Sequence, residues 1–223
     1  MSKRTVQFFY DVVSPYSLFA FEVLCRYKNV WNLDIKWRPF FLGGIMQGSG
    51  NKPPAANPNK AIYTFKDSER IAKYFDVPYK VPPDPTDFMF NNGSMTAQRF
   101  LCLVDMERPE MLEQITRELW MRAWAREQDI VQPDGIAAAA TAAGLPKDIT
   151  ESFLSRVKSD EVKKRLRDTT QEALDLGAFG SPIIVFDVNG QKEWVFGCDR
   201  FPIMAHMMGL KWEGPKPGSP SKL

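Results

Sequence analysis

An α/β fold, in which one four-stranded sheet is split by a helical insertion, is predicted by three patterns in this chain. The N-terminus reads strand, helix, strand; residues 94–177 read almost wholly as helix; two extended runs joined by Asn189-Gly190 then precede a last helix. With 223 residues, 44% hydrophobic and 25% charged, the chain has enough apolar material for a real core.

The apolar run Thr5 to Val12 is the first strand, and it ends in the turn Val13-Ser14-Pro15-Tyr16-Ser17. Pro15 suits the first position of a helix, and Leu18, Phe19, Phe21, Val23 and Leu24 make that helix largely buried to about Arg26. Leu33 to Phe40 alternates apolar with polar, as a second strand should. From Gly43 to Asn59 the Gly, Pro and Asn content predicts a loop, and Pro78, Pro82, Pro83 and Pro85 limit regular structure further on.

Ala97, Phe100, Leu101 and Val104 mark the next helix; Leu112, Ile115, Leu119 and Ala123 mark another, which Pro109 can start. Pro133 to Ala143 is an Ala-rich helix closed by Gly144, Thr150 to Val157 is a short one, and Asp160 to Leu176 ends at Gly177. Pro182 to Asp187 and Glu193 to Phe196 form a hairpin about Asn189-Gly190. A final helix runs from Asp199 or Arg200 to about Leu210.

A formal net charge of +2, without a Lys/Arg block or basic-aromatic stripe, excludes an electrostatic footprint for nucleic acid. Cys25, Cys102 and Cys198, odd in number and far apart, fit a reducing compartment and form neither a disulfide framework nor a Cys-x-x-Cys. His206 is the single histidine, so no His-based metal cluster is expected, and Gly43 to Gly50 lacks the Lys-Ser/Thr of a phosphate loop. No segment reaches the roughly 20 apolar residues of a membrane span. Ser221-Lys222-Leu223 at the C-terminus reads as a peroxisomal address, so an import receptor is an expected partner, and residues 214–220 ahead of it are expected to be too rich in Pro and Gly to pack.

The first turn resembles the place where thioredoxin-like proteins present a redox dithiol, with cysteines at its two outer positions. Here both positions, Ser14 and Ser17, are serine. A hydroxyl cannot form a mixed disulfide, but it can hold another molecule's thiolate. On its own, Ser14 before Pro15 also reads as a helix N-cap, and Ser17 reads as a helix residue satisfying local backbone.

Phe9 to Ser17, Gly50-Asn51-Lys52-Pro53-Pro54, Arg117 to Trp120, Gly177 to Ile183 and Gly197-Cys198-Asp199-Arg200, in that order, resemble the kappa-class glutathione transferases, relatives of 2-hydroxychromene-2-carboxylate isomerases. The resemblance implies a thioredoxin-like domain over 1–60 and 177–213, with an inserted helical domain and the helix leading back to the sheet over 61–176. A flexible tail would follow over 214–223. It implies glutathione as substrate with no separate cofactor, a homodimer, and Ser14 as the catalytic hydroxyl. Pro15, Tyr16, Asn51, Lys60, Ser181, Cys198 and Asp199 would line the glutathione site. Ser181, before Pro182, would pair its main chain with the cysteinyl residue; Asn51 and Lys60 would reach the glycine end; Cys198 and Asp199, at the start of the final helix, would hold the γ-glutamyl end. Plainer readings stand beside these: Tyr16 as a packed aromatic, Ser181-Pro182 as an ordinary loop, Asp199 as a helix cap and Lys60 as a solvated charge. Trp120 and Trp124 fit a core, a dimer interface or a hydrophobic substrate site.

The expected function is attack of a Ser14-stabilised glutathione thiolate on a small electrophile, or on a peroxide. A glutathione-dependent cis-trans isomerase is the alternative within catalysis; a non-catalytic module that binds thiol peptides is the alternative outside it. The family also occurs in mitochondria, so a mitochondrial fraction accompanies the peroxisomal expectation.

Overall fold

A computed structural model describes residues 2–85, 88–89 and 93–218. Ser221, Lys222 and Leu223 lie outside the described residues. β1 (Arg4–Tyr10), α1 (Pro15–Tyr27) and β2 (Leu33–Pro39) form the opening βαβ unit, β1 and β2 running parallel with Tyr10 opposite Pro39. β3 (Ile183–Val188) pairs antiparallel with β1, and β4 (Gln191–Phe196) antiparallel with β3, in the order β2-β1-β3-β4. Asn189 and Gly190 both take positive φ, 54° and 82°, as the tight hairpin turn requires.

The strand period of two sends alternate side chains to opposite faces of the sheet. Val6, Phe8 and Tyr10 face the larger core with Ile184 and Phe186. Phe9, Ile183 and Val185 face the smaller one. α2 (Leu42–Ser49) contributes Ile45 to that second core; α3 (Pro58–Phe75) packs beside α1. A loop was expected over 43–59, but Asp11 and Thr170 fix the entry to α2, and Asn57 caps α3 by accepting the Lys60 N–H at 3.2 Å. Gly50 closes α2 in the left-handed conformation, φ 70°.

α4 (Met95–Glu107), α5 (Leu112–Trp124), α6 (Pro133–Ala142) and α7 (Lys147–Arg156) pack in sequence, and α8 (Asp160–Asp175) returns against α2, α4 and β2. Trp120 and Trp124 are both fully buried, which settles them as core residues. α9 (Phe201–Met207) is shorter than expected and begins after Asp199.

Residues 214–218, expected to be unpacked, lie against the body. Tyr27 Oη donates to the Gly214 carbonyl at 2.6 Å, Arg26 donates to that of Pro215 at 3.0 Å, and Lys216 pairs with Asp76. Trp212 stacks on Tyr27 and Phe201, centroids 4.9 Å and 5.8 Å away, so aromatic contact overrides the Pro and Gly content here. Among the described residues no helix is long and apolar enough to cross a membrane.

Candidate active site

Ser14 sits where the sheet hands the chain to α1, with φ −92° and ψ 115°. That extended conformation lets its Oγ accept the Ser17 N–H at 3.2 Å, so Ser14 is the N-cap of the helix. The bond fixes the oxygen without using its proton. Among the described residues the Ser14 hydroxyl has no acceptor. Pro15 has no N–H and Ser17's is engaged, which leaves the Tyr16 N–H as the first-turn donor outside these bonds.

The turn is held by groups from four elements. Asp11 accepts the Val13 N–H on Oδ1 at 3.0 Å and the Leu42 N–H on Oδ2 at 2.9 Å, while its main-chain carbonyl accepts the Ser14 N–H at 3.0 Å. Gln98 of α4 donates to the carbonyls of Tyr10 and Phe40 at 2.9 Å and 2.6 Å, and its Oε1 accepts the Val12 N–H at 3.4 Å. Trp124 of α5 donates its indole N–H to the Val12 carbonyl at 3.1 Å. A buried polar network satisfied in this way makes the turn rigid.

The cis Ser181-Pro182 bond lies across from the turn. Ser17 was expected to serve local backbone, but its Oγ meets Ser181 Oγ at 2.8 Å. Asn51 donates Nδ2 to the Phe179 carbonyl at 2.7 Å, which brings the chain after α2 to the same loop. Gly180 packs close to the hairpin there: a Cβ would stand 2.8 Å from the Phe196 ring, which would have to shift.

Tyr16 packs edge-on against Phe19 and donates its hydroxyl to Asp67 Oδ2 at 3.1 Å and to the Thr64 carbonyl at 3.4 Å. Burial first, then the Asp67 carboxylate, pushes its phenol well up, so Tyr16 is a neutral donor. These bonds tie α3 to the first turn of α1. Ser14 is only 4% exposed and Ser181 9%.

Cys198 is buried near Tyr16 and Asp67, and the Asp67 carboxylate raises both the Tyr16 phenol and the Cys198 thiol. Burial, then Asp199 and Asp67, pushes its thiol well up. Neither Cys198 nor Asp199 belongs to a helix, and Asp199 does not cap one: its carboxylate pairs with Arg200 at 2.8 Å. Lys60 is exposed on the first turn of α3, and its ammonium joins no ion pair among the described residues. The structure thus gathers Ser14, Pro15, Tyr16, Ser181 and Cys198, links Asn51 to them through Phe179, and leaves Lys60 and Asp199 at the rim.

Asp11, Asp67 and Gln98 belong to the candidate site by their bonds to the turn, and the sequence did not single them out. Asp11 had one signal, an acid alone inside Phe8-Phe9-Tyr10-Asp11-Val12-Val13, which must be buried if its neighbours are. Asp67 and Gln98 had none, because only the packing of α3 and α4 brings them to the turn.

The chain's own sulfurs are poor nucleophiles. Burial is the first cause in each: it pushes Cys102 up to about 12 and raises Cys25 and Cys198 strongly. Among the described residues no group of His, Cys, Asp and Glu could hold a metal ion. The cavity lined by Gln7, Asp168, Gln171, Glu172, Val185 and Lys192 lies on the α8 side of the sheet, away from Ser14.

A family model described as a DSBA-like thioredoxin domain matches residues 5–209. Human glutathione S-transferase kappa 1 is 46% identical over 214 residues, 96% of this chain and 95% of that protein. The rat protein of the same name is 45% identical over the same shares. Among solved structures, a 2-hydroxychromene-2-carboxylate isomerase superposes with a TM-score of 0.76 at 20% identity, covering 92% of this chain and 94% of that one. The family match over most of the chain and near-full-length identity to two proteins of one class agree: the chain belongs to the DsbA-like thioredoxin-domain family and, within it, to the kappa-class glutathione transferases.

Proposed function

We propose that this enzyme, a glutathione transferase, uses the Ser14 hydroxyl to stabilise the thiolate of bound glutathione for attack on a small electrophile or a peroxide. The observation that carries the reading is the uncommitted Ser14 proton, on an oxygen already oriented by the Ser17 N–H. A free thiol ionises near pH 8.5, and lowering that by about two units needs roughly 2.7 kcal/mol in favour of the anion. A hydrogen bond to a charged acceptor supplies about 1.5–3 kcal/mol and a helix N-terminus roughly 0.3–1 kcal/mol, so serine and helix suffice together. The strong elevation of the chain's own thiols supports an external sulfur.

Ser181 would pair its main chain with the cysteinyl residue of glutathione, with Asn51 and Lys60 toward the glycine end and Cys198 and Asp199 toward the γ-glutamyl end. The partly exposed rings of Phe179 and Phe196, 4.6 Å apart beside this loop, support a homodimer, which sedimentation would test. Ser221-Lys222-Leu223 supports peroxisomal import, with a mitochondrial fraction as the other destination; imaging the chain with and without Leu223 separates them.

Ser14→Ala is the decisive variant. It should raise the ionisation midpoint of bound glutathione, removing most of its ultraviolet thiolate band at neutral pH, and lower kcat by roughly 10- to 100-fold, the loss of one charge-assisted hydrogen bond, with KM for glutathione within about threefold. An unchanged band and rate would remove Ser14 from the chemistry. Product analysis then sets the reaction: a thioether or oxidised glutathione marks transfer or peroxide reduction, while unconsumed glutathione marks isomerisation.

A further inference from the structure

Three residues before Ser14, the proposed thiolate site, stands a carboxylate with no ion-pair partner among the described residues. Asp11 follows β1 directly and is fully buried. Its donors, the N–H groups of Val13 and Leu42 and the Ser94 hydroxyl, are all neutral, and it joins no ion pair among the described residues. The surrounding elements bring little charge. α2 has no ionisable residue, the first turn of α1 has only the Tyr16 phenol, and β1 ends on the Tyr10 phenol, itself raised by burial. α4 runs Met95, Thr96, Ala97 and Gln98 before Arg99, whose charge acts on Cys102.

Resting on the Ser14 reading, we propose that Asp11 is an electrostatic tuning residue of the glutathione site, its negative charge opposing ionisation of the bound sulfur one turn away. The carboxylate is tied to the turn on both sides of Val13, because its main chain holds the Ser14 N–H while its side chain holds the Val13 N–H. A charge fixed there, shielded from water, acts on a second anion at Ser14 more strongly than a solvated one would. The opposition has a chemical use. Thiolate nucleophilicity falls as the thiol becomes more acidic, and the best attacking thiol ionises near the ambient pH. Ser14 and the helix terminus pull the sulfur toward ionisation, while Asp11 limits how far they go. Burial pushes Asp11 itself up to about 6, which brings it into the range where the two groups titrate as a coupled pair.

The test uses the full chain with glutathione bound, following the thiolate band against pH in the unmodified enzyme, Asp11→Asn and Ser14→Ala. Asp11→Asn should lower the midpoint by on the order of one unit and give a one-proton curve. At pH 9 and saturating glutathione, where both forms are ionised, it should react about threefold more slowly, as the weaker nucleophile. A folded Asp11→Asn protein whose midpoint stays or rises overturns the proposal. Failure of the Ser14 reading shows separately, as a Ser14→Ala midpoint equal to that of the unmodified enzyme. If Asp11→Asn does not fold, carbon-13 titration of Asp11 in the unmodified chain decides: its midpoint should rise with glutathione and not with S-methylglutathione. A rise with both ligands, or with neither, overturns the proposal.

Discussion

The hydroxyls of Ser17 and Ser181 lie 2.8 Å apart, joining the first turn of α1 to the loop before β3 across 164 residues of sequence. Both side chains are buried, so neither oxygen has water to fall back on. Removing one partner strands the other, whereas removing both leaves a small apolar contact. Ser17→Ala and Ser181→Ala should each cost about 1–3 kcal/mol in chemical denaturation, and the double variant less than their sum. Because the proposed contact of Ser181 with glutathione is through the main chain, KM should change by less than about threefold in Ser181→Ala.

The bond from Tyr16 to Asp67 gives a second expectation, on dynamics. It ties α3 to the turn, and α3 has few buried residues of its own, Ser68, Ala72 and Phe75. A segment with so little burial opens locally at low free energy. Tyr16→Phe keeps the ring and deletes the tie. Hydrogen exchange over residues 60–67 should accelerate by about tenfold, the loss of roughly one net hydrogen bond, with β1 unchanged. Equal protection in the variant would show that packing alone seats α3.

The same weakness explains what the sequence conceals. The sheet was legible because its strands alternate or run apolar and Asn189-Gly190 marks its hairpin, and α1 because Pro15 starts an apolar helix. α2 and α3 were not. Gly43, Gly44 and Gly48 disguise α2, whose entry depends on the distant Asp11 and Thr170 side chains. α3 presents a mostly polar surface, and its Asn57 cap lies inside the Gly, Pro and Asn run that reads as loop. Of the candidate site, the positions of Ser14 at the head of α1 and of the Ser181-Pro182 loop before β3 could be read locally, since each belongs to the turn that carries it. Asp67, Gln98 and the Ser17–Ser181 contact exist only once remote elements pack.

The C-terminal segment supports a third prediction. Trp212 lies half-buried between Tyr27 and Phe201, and Trp31 donates its indole N–H to the Lys211 carbonyl at 3.0 Å. Trp212→Ala should destabilise the fold by about 2–3 kcal/mol, below the loss for a fully enclosed Trp. Thermal unfolding with and without the substitution measures it; a loss under 0.5 kcal/mol would mean that the segment contributes no packing.

The buried Asp11 carboxyl finally makes stability depend on pH in a direction opposite to that of paired carboxylates. Its ordinary value of 3.8 rises to about 6 in the fold, with burial the first cause. The folded state therefore binds this proton more tightly than the unfolded chain does. The resulting stabilisation is fully present below 3.8 and is lost as pH rises through 6. A rise of about two units corresponds to roughly 3 kcal/mol. Asp11→Asn removes the titration and also disturbs the bonds to Val13 and Leu42, but the second effect does not change with pH. The stability difference between the unmodified chain and Asp11→Asn should accordingly shift by roughly 2.5 kcal/mol in favour of the unmodified chain between pH 7.5 and pH 4, and comparing the two proteins cancels the other carboxylates. A difference constant over that range would mean that Asp11 keeps an ordinary carboxyl's acidity despite its burial.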